Sequence, residues 1–182
     1  MSKEIHLLIE QCKKGNQKAQ LQIYNLYCEA MFFIACRYLK NEEEAKDAMQ
    51  EGFLKAFLKI DVNVKEQALG SWLKRIVINQ CIDILKKKKL ETVSLENSPL
   101  EIIDDDNWTF DTEITKEDIL KAIEKLTKKH QLVINLYLIE GYNHTEISEI
   151  LNIPIKTSRT HLRRGKLQLQ EFLKEKRHEA RY

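Results

Sequence analysis

Glycine and proline are scarce, five and two among 182 residues. With so few turn and breaker residues, and no alternating run of β-branched side chains, a strand-and-turn architecture is excluded and the fold class is all-α. Long apolar runs are missing as well. No stretch approaches the ~20 residues that span a bilayer, and the N-terminus "MSKEIHLLIEQCKKG" lacks the apolar core of a signal peptide. A cytoplasmic protein without membrane insertion is expected. Cys12, Cys28, Cys36 and Cys81 show no CxxC spacing and sit among helical apolar positions, so reduced thiols are expected in place of a zinc site or a disulfide framework. The histidines, His6, His130, His144, His161 and His178, form no HExxH motif and no adjacent His–Asp pair. His144 with Glu146 and Glu149 comes nearest to a metal-ligand set, but Glu146 is better employed in capping, and His144 is expected exposed at a helix start. No enzyme activity, metal or cofactor is expected.

Charge is plentiful but segregated. Residues 1–90 hold 16 Lys/Arg against 11 Asp/Glu, residues 91–113 hold eight acids and no base, and residues 114–182 hold 14 against 9. The net +2 therefore conceals two blocks of +5 either side of a tether of −8. Basic blocks suit nucleic acid, as they also suit a solvated helix face.

Helical periodicity places the elements. "IHLLIEQC" is a short amphipathic helix stopped by Gly15, with Asn16 able to cap the next. Ala19, Ile23, Leu26, Ala30, Phe33 and Ile34 then recur at helical spacing to about Leu39. Asn41 and Glu44 have the spacing of a capping box and open a helix whose apolar stripe is Ala45, Met49, Phe53, Phe57 and Ile60. Residues 61–71 read as a loop. "WLKRIVINQCIDILKKKK" is a fourth helix, with Trp72, Ile76, Cys81, Ile84 and Leu85 expected inward. These four make a first domain, residues 1–90. Residues 91–112 contain Pro99 and the acidic run Asp104–Asp106, and read as a linker; its apolar Ile102, Ile103, Trp108 and Phe110 suggest that it docks on something. A second domain, residues 113–182, resumes the helical pattern with Ile119, Ile123 and Leu126, then "HQLVINLYLIEG".

"YNHTEISEILNIPIKTSRTHLRRG" is the most informative stretch. Asn143 and Glu146 form a capping-box pattern, and Ile147, Ile150 and Leu151 face inward. Ser148 supplies the small side chain that two closely crossing helices need. Asn152 suits a left-handed turn, and Pro154 sets the backbone just before the next helix. At about 100° per residue, Ile155, Ser158, Leu162, Gly165 and Leu169 share one stripe. Lys156, Thr160, Arg163 and Arg164 project opposite, with Arg159 and Lys166 on one flank and Thr157 and His161 on the other. No acid occurs from Ile155 to Gln170. A solvated helix normally mixes signs; a helix of this charge behind a hinge of helix-turn-helix spacing is best explained by phosphates and base edges in a DNA major groove.

The whole chain also resembles the small, two-domain extracytoplasmic-function (group IV) sigma factors of bacterial RNA polymerase. "DAMQEGFLKAFLKI" is similar to the core-binding helix of the family's region 2, "SWLKRIVINQCIDILKKKK" to the helix after it, and "LTKKHQLVINLYLIEGYNHTEISEILNIPIKTSRTHLRRGKLQL" to region 4. The resemblance implies that Asp47, Gln50, Glu51 and Phe53 bind the β′ clamp helices of core polymerase. It implies that the 61–71 loop and the next helix, through Lys74, Arg75, Asn79, Gln80, Lys86 and Lys87, capture the −10 element. Lys156, Thr157, Arg159, Thr160, His161, Arg163, Arg164 and Lys166 would read the −35 duplex, while region 4 holds the β flap. Asp47 and Glu51 lie one turn apart, as an anchor for basic groups requires. The amides of Asn79 and Gln80 suit base edges, with Lys74 and Arg75 beside them for phosphates. Trp72 is expected inward, with stacking on a flipped base as the alternative. The acidic linker would occupy basic channels of polymerase, and in the free chain it would mask the basic faces.

Three positions depart from the family pattern: Lys156 stands where many members have Gly, Ser158 where many have Val, and His161 where many have Arg. Region 2 also lacks the neighbouring aromatics that housekeeping sigma factors use in melting, which fits strict promoters. An anti-sigma factor is implied as a further partner. The alternative is an autonomous helix-turn-helix regulator acting without polymerase, but it usually carries a dimerisation seam; none is apparent, so a free monomer is expected.

Overall fold

In the computed structural model, which describes residues 2–60, 64, 68–90 and 114–179, every regular element is helical. The chain divides into two compact units, Met1–Leu95 and Glu96–Tyr182. The acidic segment 91–112 lies outside the described residues, as does most of 61–67.

The first unit contains α1 (Ser2–Lys13), α2 (Gln17–Tyr38), α3 (Glu42–Lys59) and α4 (Leu69–Leu90). The joints between α1 and α2 and between α2 and α3 are three residues each. Gly15, at φ +73°, lets its N–H reach the Cys12 carbonyl while the Asn16 N–H reaches that of Gln11, closing α1. The Asn16 side chain at once accepts from the Lys18 and Ala19 N–H groups to open α2. Asn41 does the same for α3 through Glu43 and Glu44. The expected capping box there is only half made, because the Glu44 carboxylate pairs with Lys88 of α4.

The core of this unit lies among α2, α3 and α4. Small residues bring α3 close: Ala45, Ala48 and Ala56 are buried, and a Cβ on Gly52 would lie 2.8 Å from Val77 Cγ2. Phe53 meets Tyr24 edge-on at 4.9 Å. Two expected faces are rotated. On α2 the core takes Met31, Ile34, Ala35 and Tyr38, leaving Leu26, Ala30 and Phe33 exposed. On α4 it takes Leu69, Leu73, Val77, Ile78, Cys81 and Ile82, while Trp72, Ile76, Ile84 and Leu85 are half-buried. Both helices carry apolar residues around most of their circumference, so periodicity alone does not choose the buried side. α4 also begins at Leu69, inside the expected loop. All four cysteines are free thiols; burial pushes those of Cys12 and Cys36 up, which keeps them protonated.

The second unit contains α5 (Lys116–Lys125), α6 (Lys128–Ile134), α7 (His144–Leu151) and α8 (Ile155–Glu179). Thr115 and Asp118 make a complete capping box for α5. α6 widens into a π-helical turn, Asn135–Ile139, before Gly141 reverses the chain at φ +78°. α8 packs on α5, α6 and α7. Gly165 permits the closest approach, since a Cβ there would sit 2.9 Å from Ile134 Cγ1 and 3.3 Å from His130 Cβ. Among the described residues no helix is long and apolar enough to cross a membrane.

Candidate nucleic-acid and polymerase interfaces

The hinge between α7 and α8 is built by local hydrogen bonds. Asn143 accepts from Thr145 and Glu146, and the Glu146 carboxylate accepts from the Asn143 N–H at 2.9 Å. Asn152 ends α7 in the left-handed region at φ 52°, ψ 52°. Ser148 does more than leave room: its hydroxyl donates to the Ile153 carbonyl at 2.6 Å, and the Ile153 N–H returns to the Ser148 carbonyl at 3.1 Å. The Pro154 carbonyl accepts from Ser158 N–H, which starts α8.

α8 seats Ser158, Leu162, Gly165 and Leu169 inward, as the 100° wheel requires. Ile155 departs from that stripe. It is 40% exposed, because as the first residue of the helix it has no neighbouring turn to cover it. Lys156 and Arg159 are exposed; Thr157, Thr160, Arg163, Arg164 and Lys166 are half-buried on the same outer face and its flanks. His161 turns toward the interior, its ring 5.5 Å from that of His130. His130 is 4% exposed and donates from Nδ1 to Gln168 Oε1 at 2.7 Å. Burial, then the charges of Lys129 and Arg164, lowers its proton affinity against the opposing pull of Gln168.

His144 corrects the expectation of an exposed ring at a helix start. It is half-buried, stacked on Tyr137 and hydrogen-bonded to Ser158. His144 and Glu146 thus have separate tasks, one on α8 and one at the cap.

In the first unit α3 presents Asp47, Gln50 and Glu51 on one exposed face. Phe53 is not part of that face. At 2% exposure it lies beneath, in the core. Leu54 and Leu58, 60% and 86% exposed, extend the same face, a pair that sequence reasoning missed. Their spacing from Asp47 and Glu51 was the available signal, since 47, 51, 54 and 58 follow one helical stripe. On α4, Arg75, Asn79 and Lys86 share a face with half-buried Trp72, whereas Lys74 and Gln80 point elsewhere. The Gln80 amide oxygen is already engaged by Lys55. Lys87 is exposed near the end of the helix.

The sigma-70 region 2 family model matches residues 23–91, and the sigma-70 region 4 model matches residues 116–169. The ECF RNA polymerase sigma factor SigW of Bacillus subtilis is 34% identical over 178 residues, covering 92% of this chain and 95% of that protein. The chain belongs to the extracytoplasmic-function sigma factors of the sigma-70 family. A sigma factor directs transcription initiation by RNA polymerase, and both recognition modules of the family are present here. The sigma-E factor of Escherichia coli K12 is more distant, 25% identical over 88% of this chain and 89% of that one. Two solved structures share the fold of this sigma factor. One is the sigma factor RpoE in complex with the anti-sigma factor NepR from Bartonella quintana, 22% identical over 84% of this chain and 95% of that chain, TM-score 0.52. The other is CnrH in complex with the cytosolic domain of CnrY, 21% identical over 93% and 96%, TM-score 0.52.

Proposed function

We propose that this sigma factor works in the cytoplasm and divides promoter recognition between its two units. The observation that carries the reading is α8: apolar and small residues seat one side on α6 and α7, and the other side, free of acids from Ile155 to Gln170, presents Lys156, Arg159 and their neighbours. That geometry suits a major groove, with cations for phosphates and Thr157 and Thr160 among the groups near base edges. α8 reads the −35 element as duplex. The Arg75, Asn79 and Lys86 face of α4 captures the −10 element as single strand, with Lys87 on the backbone. Asp47, Gln50 and Glu51, widened by Leu54 and Leu58, form an acidic and apolar strip that fits a basic amphipathic helix pair such as the β′ clamp helices. Region 4 also holds the β flap. Because the structurally similar sigma factor RpoE is solved in complex with the anti-sigma factor NepR, an anti-sigma factor is the expected partner of this protein as well.

Run-off transcription with core polymerase and a genomic promoter library tests the reading. New discrete transcripts that require this protein are expected, with shared elements about 35 and 10 base pairs upstream of their starts. Duplex binding by the protein alone, without new transcripts, would instead favour an autonomous regulator.

A further inference from the structure

α7 and α8 are joined by a side-chain contact that neither the charge pattern nor the turn requires. The Nδ1 of His144, at the start of α7, lies 2.9 Å from the Oγ of Ser158 in the first turn of α8. Ser158 is fully enclosed, at 0% exposure. The same imidazole stacks on Tyr137, with ring centroids 4.7 Å apart and planes inclined by 27°. Tyr137 belongs to the π-helical turn after α6. One ring therefore spans three elements at their junction.

Hydrogen bonds and apolar contacts constrain a helix differently. An apolar side chain at position 158 would tolerate a range of rotations and depths of α8, because dispersion contacts are non-directional. A hydrogen bond loses strength steeply with a few tenths of an ångström or a modest change of angle. Ser158 also lies between Thr157 and Arg159, one turn below Leu162, so any rotation of α8 about its axis moves the outer side chains by the same angle. A groove-reading helix needs its side chains placed to within about 0.5 Å.

We propose that His144 is a positioning residue: through Ser158 it sets the rotation and depth of α8, and so determines which base edges the outer face of α8 meets. This rests on the reading of α8 as the duplex-reading helix. The surroundings are consistent with a neutral ring in that role. Burial first, then Arg159 and Lys166 on α8, lower its proton affinity, and Tyr137 is the titratable group facing it from the π turn. A neutral imidazole offers one donor and one acceptor nitrogen, and the hydroxyl supplies the complement. The contact between His130 and Gln168 is the natural comparison. It ties α6 to α8 in the core, ten positions beyond Ser158, and is not at the junction with α7.

The test uses holoenzyme assembled from the full chain and core polymerase. The probes are a promoter duplex recovered by the wild-type holoenzyme from a randomised pool and the same duplex with its upstream element scrambled. The ratio of the two affinities is the readout. His144→Ala and Ser158→Ala are each expected to narrow that ratio about threefold to tenfold, the factor one neutral hydrogen bond carries, with little change on the scrambled duplex. The double substitution is expected to do no more than either single one. His144→Asn, whose amide reaches the place of Nδ1, is expected to restore the ratio to within about twofold, and His144→Gln, whose amide lies one bond further out, is not.

A ratio unchanged in His144→Ala overturns the proposal, as does a double substitution with additive losses. If either alanine variant fails to fold by circular dichroism, the Asn and Gln variants decide, and equal ratios for those two overturn it. A wild-type holoenzyme indifferent to the upstream element overturns the reading of α8 itself, and the proposal with it, a result distinguishable from all the others.

Discussion

Exposed and buried members of one motif should fail differently. Asp47, Gln50, Glu51 and Phe53 are neighbours in sequence, yet only the first three are presented. Glu51→Lys is expected to abolish assembly with core polymerase in a pull-down while shifting stability by no more than about 0.5 kcal/mol. Phe53→Ala is expected to cost about 3–5 kcal/mol in denaturant unfolding, since it leaves a cavity against Tyr24 and Phe57. The histidines make a second contrast. His130 and His144 both bind a proton less readily in the fold than the ordinary value of 6.5, chiefly through burial. The unfolded chain therefore takes up protons first, so their stabilising contribution is complete above that value and is lost as pH falls below it. Thermal melting between pH 7 and 5.5 should show a falling midpoint for the wild type. His130→Gln should flatten that slope, whatever it does to the midpoint itself. Most of the residues named from the family resemblance and the charge pattern for the polymerase and DNA faces are exposed or half-buried on shared helix faces. Phe53, Lys74, Gln80 and His161 are the exceptions, because residue type does not reveal which way a side chain of a crowded helix turns.

At the scale of elements, helix ends were the most legible feature. Asn16, Asn41, Asn143 and Asn152 each do what their chemistry and position suggest, because caps and left-handed turns depend on a few adjacent residues. The π-helical turn at Asn135–Ile139 was not legible, since "NLYLI" carries no glycine or proline, and its Asn135 keeps right-handed helical backbone angles. α8 is the element on which the proposed reading of duplex DNA depends, and its contributions separate by measurement. Arg159→Ala is expected to weaken duplex binding at all sequences and to reduce the slope of log affinity against log salt by about 1, the value for one phosphate contact. Gly165→Ala is expected to destabilise the second unit by about 1–3 kcal/mol, because the added methyl group meets Ile134 and His130. Binding by the folded fraction of that variant should keep the wild-type salt slope.

For the whole molecule the governing quantity is charge placed along the chain. Two blocks of +5 and a segment of −8 favour competition between the acidic segment and nucleic acid phosphates for the same cations. Deletion of residues 100–112 is expected to raise the free chain's affinity for duplex DNA at low salt, with the difference vanishing as salt rises. An unchanged affinity at low salt would show that the segment does not mask the basic faces. The sequence by itself determined the helical class, the caps, the hinge between α7 and α8, the acid-free face and the family, since these rest on local chemistry, composition or short motifs. Only the tertiary structure decided which side of α2 and α4 is buried, that Leu54 and Leu58 are left exposed, and that His144 meets Ser158. Both partners of His144 come from other helices, 7 residues before it and 14 after it in the chain. Contacts of that kind depend on how helices rotate against each other, and apolar periodicity leaves that rotation open wherever a helix carries more apolar surface than one neighbour can cover.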